Sequence, residues 1–198
     1  LNTVVPERLI GYGRKHNGFQ REIVLVVDQS GSMATSVVYA SIFAAVLASI
    51  KAVKTHLVVY DTSVVDLTDQ LSDPVDVIFG TQLGGGTDTS KALAYCEHLV
   101  QRPRETVMVL ISDLYDVNSE QMLRRMAQFQ RQGVTMVTLL ALDDDGTPGY
   151  NHDVAGSLAV MGIPSFACTP DAFPEMIALA INRGDLAGWA SAEKAAKA

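Results

Sequence analysis

The stretch Ile23–Met33, with the sequence IVLVVDQSGSM, decides how this chain folds. Its first residues are apolar and mostly β-branched, which is typical of a strand buried on both faces of a parallel sheet. Asp28, Ser30 and Ser32 follow, where such a strand emerges at its carboxyl end, and open α/β sheets bind ligands at that end. Carboxylate and hydroxyl oxygens are hard ligands, so the segment predicts a site for Mg²⁺, Mn²⁺ or Ca²⁺ rather than zinc or copper.

Two later segments carry oxygen-bearing side chains in comparable places. Thr87 follows the run Gly84–Gly86, where glycines let the backbone turn tightly and approach a ligand closely. Asp113 comes after the apolar run Val107–Ile111, which reads as a second buried strand. Because strand-to-helix loops meet at one edge of a parallel sheet, we expect Asp28, Thr87 and Asp113 to lie close enough to share one ion.

These three segments, in this order, resemble the metal-ion-dependent adhesion site (MIDAS) of von Willebrand factor A (VWA) domains, and the resemblance covers roughly residues 20–183. It implies that Ser30, Ser32 and Thr87 bind the metal directly, while Asp28 and Asp113 act directly or through water. It also implies that an aspartate or glutamate of a partner protein completes the metal's coordination. The alternative from the residues alone is that Asp28 and Ser30 merely cap the following helix.

Strand and helix patterns alternate along the chain and predict an α/β fold: a doubly wound, mostly parallel central sheet flanked by helices, with right-handed crossovers. Besides the first strand, the pattern predicts strands at Lys54–Asp61, Thr62–Thr68 (an antiparallel edge), Glu105–Ser112, Val134–Leu142 and Ser165–Cys168. It predicts helices at Thr35–Val53, Val75–Phe79, Thr89–Val100, Asn118–Gln132, Asp153–Met161 and Pro170–Asn182. We divide the chain into a basic lead-in (1–21), a VWA domain (22–183) and an alanine-rich C-terminal tail (184–198), which is either a frayed helix or a segment added to the natural chain.

Composition excludes several classes of protein. Hydrophobic residues make up 48% and charged residues 19%, as in globular domains. The formal net charge of −7 argues against a nucleic-acid or anionic-membrane binder. The most apolar segment, Val37–Ile50, is too short to span a membrane. The two cysteines, Cys96 and Cys168, are expected to be buried free thiols rather than a disulfide, which suits a reducing compartment.

Three smaller acidic features have local explanations. Asp88 is expected to cap the helix that follows Thr87 rather than to join the outer shell of the metal. Asp116 is expected to form an Asx-type turn rather than to support the metal site. The run Asp143–Asp145 lacks the spacing of a calcium loop and is expected to be a solvated turn. Leu114, which follows Asp113 where many VWA domains have glycine, departs from the family pattern.

The resemblance extends to a subgroup, the bacterial VWA proteins of the CoxE type, whose usual companions are MoxR-type AAA+ ATPases. We therefore expect a cytoplasmic adaptor or co-chaperone in the assembly or activation of protein complexes, with the ATPase on another polypeptide, rather than an enzyme. This expectation rests on the lead-in Val5–Arg8 and on the absence of secretory features. One alternative is a Mg²⁺-dependent phosphohydrolase with Asp28 as nucleophile, although such folds commonly have a second acid where Ser30 stands. The other is an extracellular adhesin, if a secretion signal precedes residue 1.

Overall fold

The computed structural model describes residues 21–34, 36–50, 53–81, 83–142 and 149–196. These residues form a six-stranded sheet in the order β3-β2-β1-β4-β5-β6. All neighbouring strands are parallel except β2 and β3, which are antiparallel. The strands are β1 (Arg21–Asp28), β2 (Val53–Tyr60), β3 (Val64–Asp66), β4 (Thr106–Ser112), β5 (Thr135–Leu140) and β6 (Ser165–Phe166).

Seven α-helices occur in the described part of the chain. They are α1 (Val37–Ser49), α2 (Pro74–Gly80), α3 (Thr89–Leu99), α4 (Ser119–Gln132), α5 (His152–Val160), α6 (Phe173–Asn182) and α7 (Leu186–Ala196). The predicted doubly wound α/β fold is therefore confirmed. None of the described helices has the length and apolarity that crossing a membrane requires.

The alternating side chains of β1 divide the core into two layers. Ile23, Leu25 and Val27 belong to one buried cluster, which also contains apolar residues of α1, α2 and α6. Val24 and Val26 belong to a second cluster on the opposite face, with apolar residues of α3, α4 and α5. All five side chains are fully buried, so both faces of the central strand are covered by helices, as the unbroken apolar run predicts.

The chain order places a crevice at the carboxyl end of β1. From β1 the chain passes through α1 to β2 on one side, and it returns through α3 to β4 on the other. β1 therefore lies where the direction of winding reverses, and the loops after β1 and β4 diverge to opposite faces. Such a switch point leaves room for a ligand between the loops.

Part of the predicted C-terminal tail packs on the domain. Leu186, the first residue of α7, is buried. Trp189 meets the ring of Phe166 in an edge-to-face contact, with 5.6 Å between the ring centroids. α7 therefore contributes to the apolar layer that α6 also forms.

The structure tests the prediction for the cysteines but not those for the lead-in and the acidic run. Cys96 and Cys168 are both buried and outside any disulfide, as predicted. The residues of the lead-in up to residue 20 and the acidic run Asp143–Asp145 lie outside the described residues.

The end of α4 gives a stability prediction. Gly133 ends this helix in the left-handed conformation with φ +98°, and a Cβ there would lie 2.9 Å from Cγ of Arg104. We expect Gly133→Ala to lower the free energy of unfolding by about 1–2 kcal/mol, measured by urea denaturation. Gly156→Ala is the control, because Gly156 lies inside α5 with open space around it. That change should raise stability by about 0.5–1 kcal/mol. Equal stability of the wild type and Gly133→Ala would contradict the assignment.

Candidate metal centre

The first predicted segment forms a compact turn at the end of β1. Asp28 is the last residue of the strand and is fully buried. Its Oδ1 accepts a hydrogen bond from the Ser30 amide at 2.9 Å. The hydroxyls of Ser30 and Ser32 lie 3.2 Å apart, because one short 3₁₀ turn, Gly31–Met33, begins between them. The structure therefore brings these three predicted ligands together.

The glycine loop is held against this turn by its backbone. The amide of Gly84 donates to the carbonyl of Gln29 at 3.2 Å, and the amide of Gly31 donates to the carbonyl of Gly85 at 3.2 Å. Two crossing hydrogen bonds therefore connect the first and second segments. Thr87 follows and is 6% exposed. Among the described residues, its hydroxyl has no hydrogen-bond partner, which leaves an oxygen ligand unused.

The third segment reaches Asp28 through a residue that the sequence reading missed. Ser112, the last residue of β4, donates from its hydroxyl to Oδ2 of Asp28 at 2.8 Å. The same hydroxyl accepts from the Leu114 amide at 2.9 Å. Asp113 lies between them, 4% exposed, and its Oδ1 accepts from the Tyr115 amide at 3.0 Å. All five predicted ligands thus lie at the carboxyl edge of the sheet, as the parallel topology requires.

Leu114 explains how the third segment is fixed without the glycine that many VWA domains have. Its φ of 63° lies in the left-handed region, which is unfavourable for a leucine. Its side chain is fully buried in the second apolar cluster. Burial of this side chain therefore offsets the backbone strain and anchors the loop that carries Asp113.

None of the described residues pairs a positive charge with the two carboxylates of this site. Burial first, and then the nearby negative charge of Asp113, raise the pKa of Asp28 against the hydrogen bonds from Ser30 and Ser112, and the net result is a pKa of about 6. Within the described ranges, no arginine, lysine or histidine forms an ion pair with either carboxylate. Two nearby buried carboxylates therefore remain without a compensating charge, which is unfavourable unless a cation binds.

Tyr60 closes the inner side of the site. It is the last residue of β2, pairs with Asp28 in the sheet and is fully buried. Its hydroxyl lies 3.0 Å from the hydroxyl of Thr89, at the start of α3. Burial, together with the charge of Asp28, raises the pKa of Tyr60 well above its usual value. This phenol therefore stays neutral and adds no charge to the site.

The donor set fits a hard divalent ion. Among the described residues, no group of three or more histidine, cysteine, aspartate or glutamate side chains could hold a metal. The candidate set has instead two carboxylates and three hydroxyls, which suits Mg²⁺, Mn²⁺ or Ca²⁺ and does not suit zinc. The uncompensated carboxylates and the unused hydroxyl of Thr87 are the structural observations that agree with such an ion.

Two neighbouring aspartates have the following roles. Asp88 caps α3 as predicted, because its Oδ1 accepts from the Lys91 amide at 2.9 Å. Asp116 forms the predicted turn by accepting from the Asn118 amide at 2.5 Å. Its second oxygen, however, accepts from the Thr89 amide at 2.6 Å. The prediction of a turn alone was therefore incomplete.

An apolar pocket of about 210 Å³ adjoins the first segment, between the start of α1 and the end of α2. Ser30 and Gly31 form part of its wall, and the side-chain amide of Gln29 donates to the carbonyl of Ile78 at 2.9 Å. The apolar part of the wall consists of Ala34, Val37, Ile78, Phe79 and Leu83. A group bound beside Ser30 would contact apolar side chains on this side.

Solved structures share the fold. A von Willebrand factor type A protein from Catenulispora acidiphila superposes with a TM-score of 0.61 at 14% identity, over 82% of this chain and 43% of that one. An aerotolerance-related membrane protein from Bacteroides fragilis superposes with a TM-score of 0.63 at 13% identity, over 82% of this chain and 99% of that one. The manganese-loaded TRAP protein of Plasmodium vivax superposes with a TM-score of 0.58 at 16% identity, over 78% of this chain and 71% of that one. At these identities the similarity shows the fold alone.

Sequence comparison is more specific. The uncharacterized protein YehP of Escherichia coli strain K12 is 38% identical over 176 residues, which are 88% of this chain and 43% of that relative. The chain therefore spans less than half the length of this relative. The family described as "VWA domain containing CoxE-like protein" matches residues 3–177. The chain belongs to this family of CoxE-like VWA proteins.

Proposed function

We propose that this chain is a metal-dependent protein-binding module that acts as an adaptor or co-chaperone. The observation that carries the proposal is the pair of buried carboxylates, Asp28 and Asp113, beside three hydroxyls at one edge of the sheet, without a described cationic partner. A divalent ion would offset this charge. Membership of a VWA family agrees with a role in protein interactions.

In this proposal Ser30, Ser32 and Thr87 hold the ion directly, and Asp28 and Asp113 hold it directly or through water. An ion bound largely by uncharged hydroxyls stays electrophilic and attracts a carboxylate from a partner protein. The residues around the site hold the carboxylate and the hydroxyl-bearing loops in position for the ion. Ser112 and the Ser30 amide fix the Asp28 carboxylate, and the two backbone hydrogen bonds to Gly84 and Gly85 fix the glycine loop.

Binding fits the site better than catalysis by Asp28. Both oxygens of this carboxylate accept hydrogen bonds, and the side chain has no exposed surface. A nucleophile must reach its substrate, whereas a group that orients ligands need not. The serine at position 30 also stands where a phosphohydrolase commonly has its second acid. We therefore favour a binding protein without enzymatic activity over a Mg²⁺-dependent phosphohydrolase.

The partner that we propose is a MoxR-type AAA+ ATPase on another polypeptide, in the cytoplasm. The chain's membership of the CoxE-like family supports this choice, since the resemblance to that family implies a MoxR-type ATPase as companion. The chain would present its ion to an acidic residue of the ATPase or of the complex that the ATPase remodels.

Removing a hydroxyl ligand tests the ion site. We expect Ser30→Ala and Thr87→Ala to abolish Mg²⁺ binding in isothermal titration calorimetry and to leave the metal-free unfolding temperature nearly unchanged. The wild type should gain about 2.7 kcal/mol of stability at a Mg²⁺ concentration of 100 times Kd. Ser49→Ala is the control, since this exposed serine donates to the carbonyl of Val46 in its own helix. Partner capture that survives a chelator would contradict the proposal.

The pH dependence of stability tests the charge of Asp28. Its pKa is about 6 in the folded protein and 3.8 ordinarily, so without metal the folded state loses stability as pH rises from about 4 to about 6. The full loss is about 3 kcal/mol. Asp28→Asn removes this dependence and keeps the shape, because the Ser112 hydroxyl can accept from the new amide.

In chelator at pH 7.5 we therefore expect Asp28→Asn to unfold at a higher urea concentration than the wild type, with the advantage vanishing near pH 4. Saturating Mg²⁺ should reverse the order at pH 7.5, because only the wild type binds the ion well. If the two proteins differed in free energy of unfolding by the same amount at every pH, the Asp28 carboxylate would not be the source of the pH dependence.

A further inference from the structure

We propose that Asp61 and Asp116 are positioning residues for Thr87, and that they set the metal affinity of the site from two neighbouring loops. Neither residue belongs to the predicted ligand set. The inference rests on the proposed ion site, because these carboxylates act through the Thr87 segment and not on the ion itself. It goes beyond that proposal by naming the groups that hold this hydroxyl in place.

Asp61 holds the segment on both sides of Thr87. It follows β2 and is 6% exposed. Its Oδ2 accepts from the Gly85 amide at 3.1 Å, and its backbone carbonyl accepts from the Asp88 amide at 2.9 Å. Its Oδ1 accepts from the Ser63 amide at 2.6 Å, which orients the carboxylate. One residue therefore fixes the backbone before and after Thr87.

Position 85 has room only for a glycine beside the Asp61 carboxylate. A Cβ at position 85 would lie 2.5 Å from Oδ2 of Asp61, closer than any stable contact. A side chain there would expel the carboxylate from the amide. The glycine is therefore required by the close approach of Asp61, and this gives a way to break the contact without removing the charge.

Asp116 holds the other end of the segment from the loop that carries Asp113. Its Oδ2 accepts from the Thr89 amide at 2.6 Å, while its Oδ1 accepts from the Asn118 amide at 2.5 Å. The first amide of α3 is thus bonded to the third segment. A displacement of the Asp113 loop would therefore pull on the helix start that follows Thr87.

Both carboxylates use each of their oxygens to accept from a backbone amide. An asparagine offers only one accepting oxygen, so its NH₂ group would face an amide N–H and one bond would be lost. Hydrogen bonds to a charged carboxylate are also stronger than neutral ones. Supporting groups around metal ligands typically change metal affinity by 10–100-fold when they are replaced. Asp61→Asn and Asp116→Asn should therefore weaken the site measurably.

The experiment is Mg²⁺ titration calorimetry at a temperature where circular dichroism shows every variant to be folded. We expect Asp61→Asn and Asp116→Asn each to raise the Mg²⁺ Kd about tenfold or more. Asp88→Asn is the matched control, since it removes a charge directly beside Thr87, while the asparagine keeps the one oxygen that caps α3 by accepting from the Lys91 amide. Its Kd should stay within about twofold of the wild type, a change below ordinary coupling between sites.

Gly85→Ala separates positioning from charge, because it breaks the Asp61 contact and keeps every carboxylate. It should raise Kd as much as Asp61→Asn does, and the double variant should bind as each single variant does. If Asp88→Asn weakened Mg²⁺ binding as much as Asp61→Asn does, or if Gly85→Ala left the Kd unchanged, the effect would be one of charge alone and the inference would be wrong. Unchanged Kd in Asp61→Asn and Asp116→Asn would overturn it while leaving the ion site intact. Absence of Mg²⁺ binding by the wild type would instead reject the proposed function.

Discussion

The burial of one carboxylate at the end of the central strand constrains the rest of this structure. Asp28 lies at the carboxyl end of β1 with no exposed surface, and both its oxygens accept hydrogen bonds, from Ser30 and from Ser112. A buried negative charge without a counter-ion is costly, and the described residues supply no cation beside it. The strand order, the two helical layers and the loops around β1 together produce a site where a cation would relieve that cost.

The loops around this carboxylate are connected to one another and not only to the sheet. Backbone hydrogen bonds join the first turn to the glycine loop, and Ser112 joins the first turn to the strand before Asp113. Asp116 then joins the Asp113 loop to the start of α3. The three segments therefore form a closed ring of contacts. Such a ring gives the hydroxyls fixed positions, and it couples any movement of one loop to the other two.

Much of this arrangement could be predicted from the sequence. The apolar run before Asp28 predicts a buried strand, and parallel topology places Thr87 and Asp113 at the same edge. Other contacts could not be predicted, because they depend on register and on the path of the loops. Ser112 reaches Asp28 only because β4 lies beside β1, and Asp61 reaches Gly85 only because residue 85 has no side chain. The helix α7 was also uncertain, since its alanine-rich sequence has no distinct apolar stripe and its position depends on Leu186 and Trp189 packing on the domain.

The central claim is that one divalent ion is held by hydroxyls at the carboxyl edge of β1. Anomalous X-ray diffraction from crystals soaked in Mn²⁺ tests it most directly, because manganese scatters anomalously and accepts the same oxygen ligands as magnesium. The account predicts a peak in contact with the hydroxyls of Ser30, Ser32 and Thr87. A peak bound elsewhere, or electron density for water alone between these hydroxyls at saturating Mn²⁺, would contradict it.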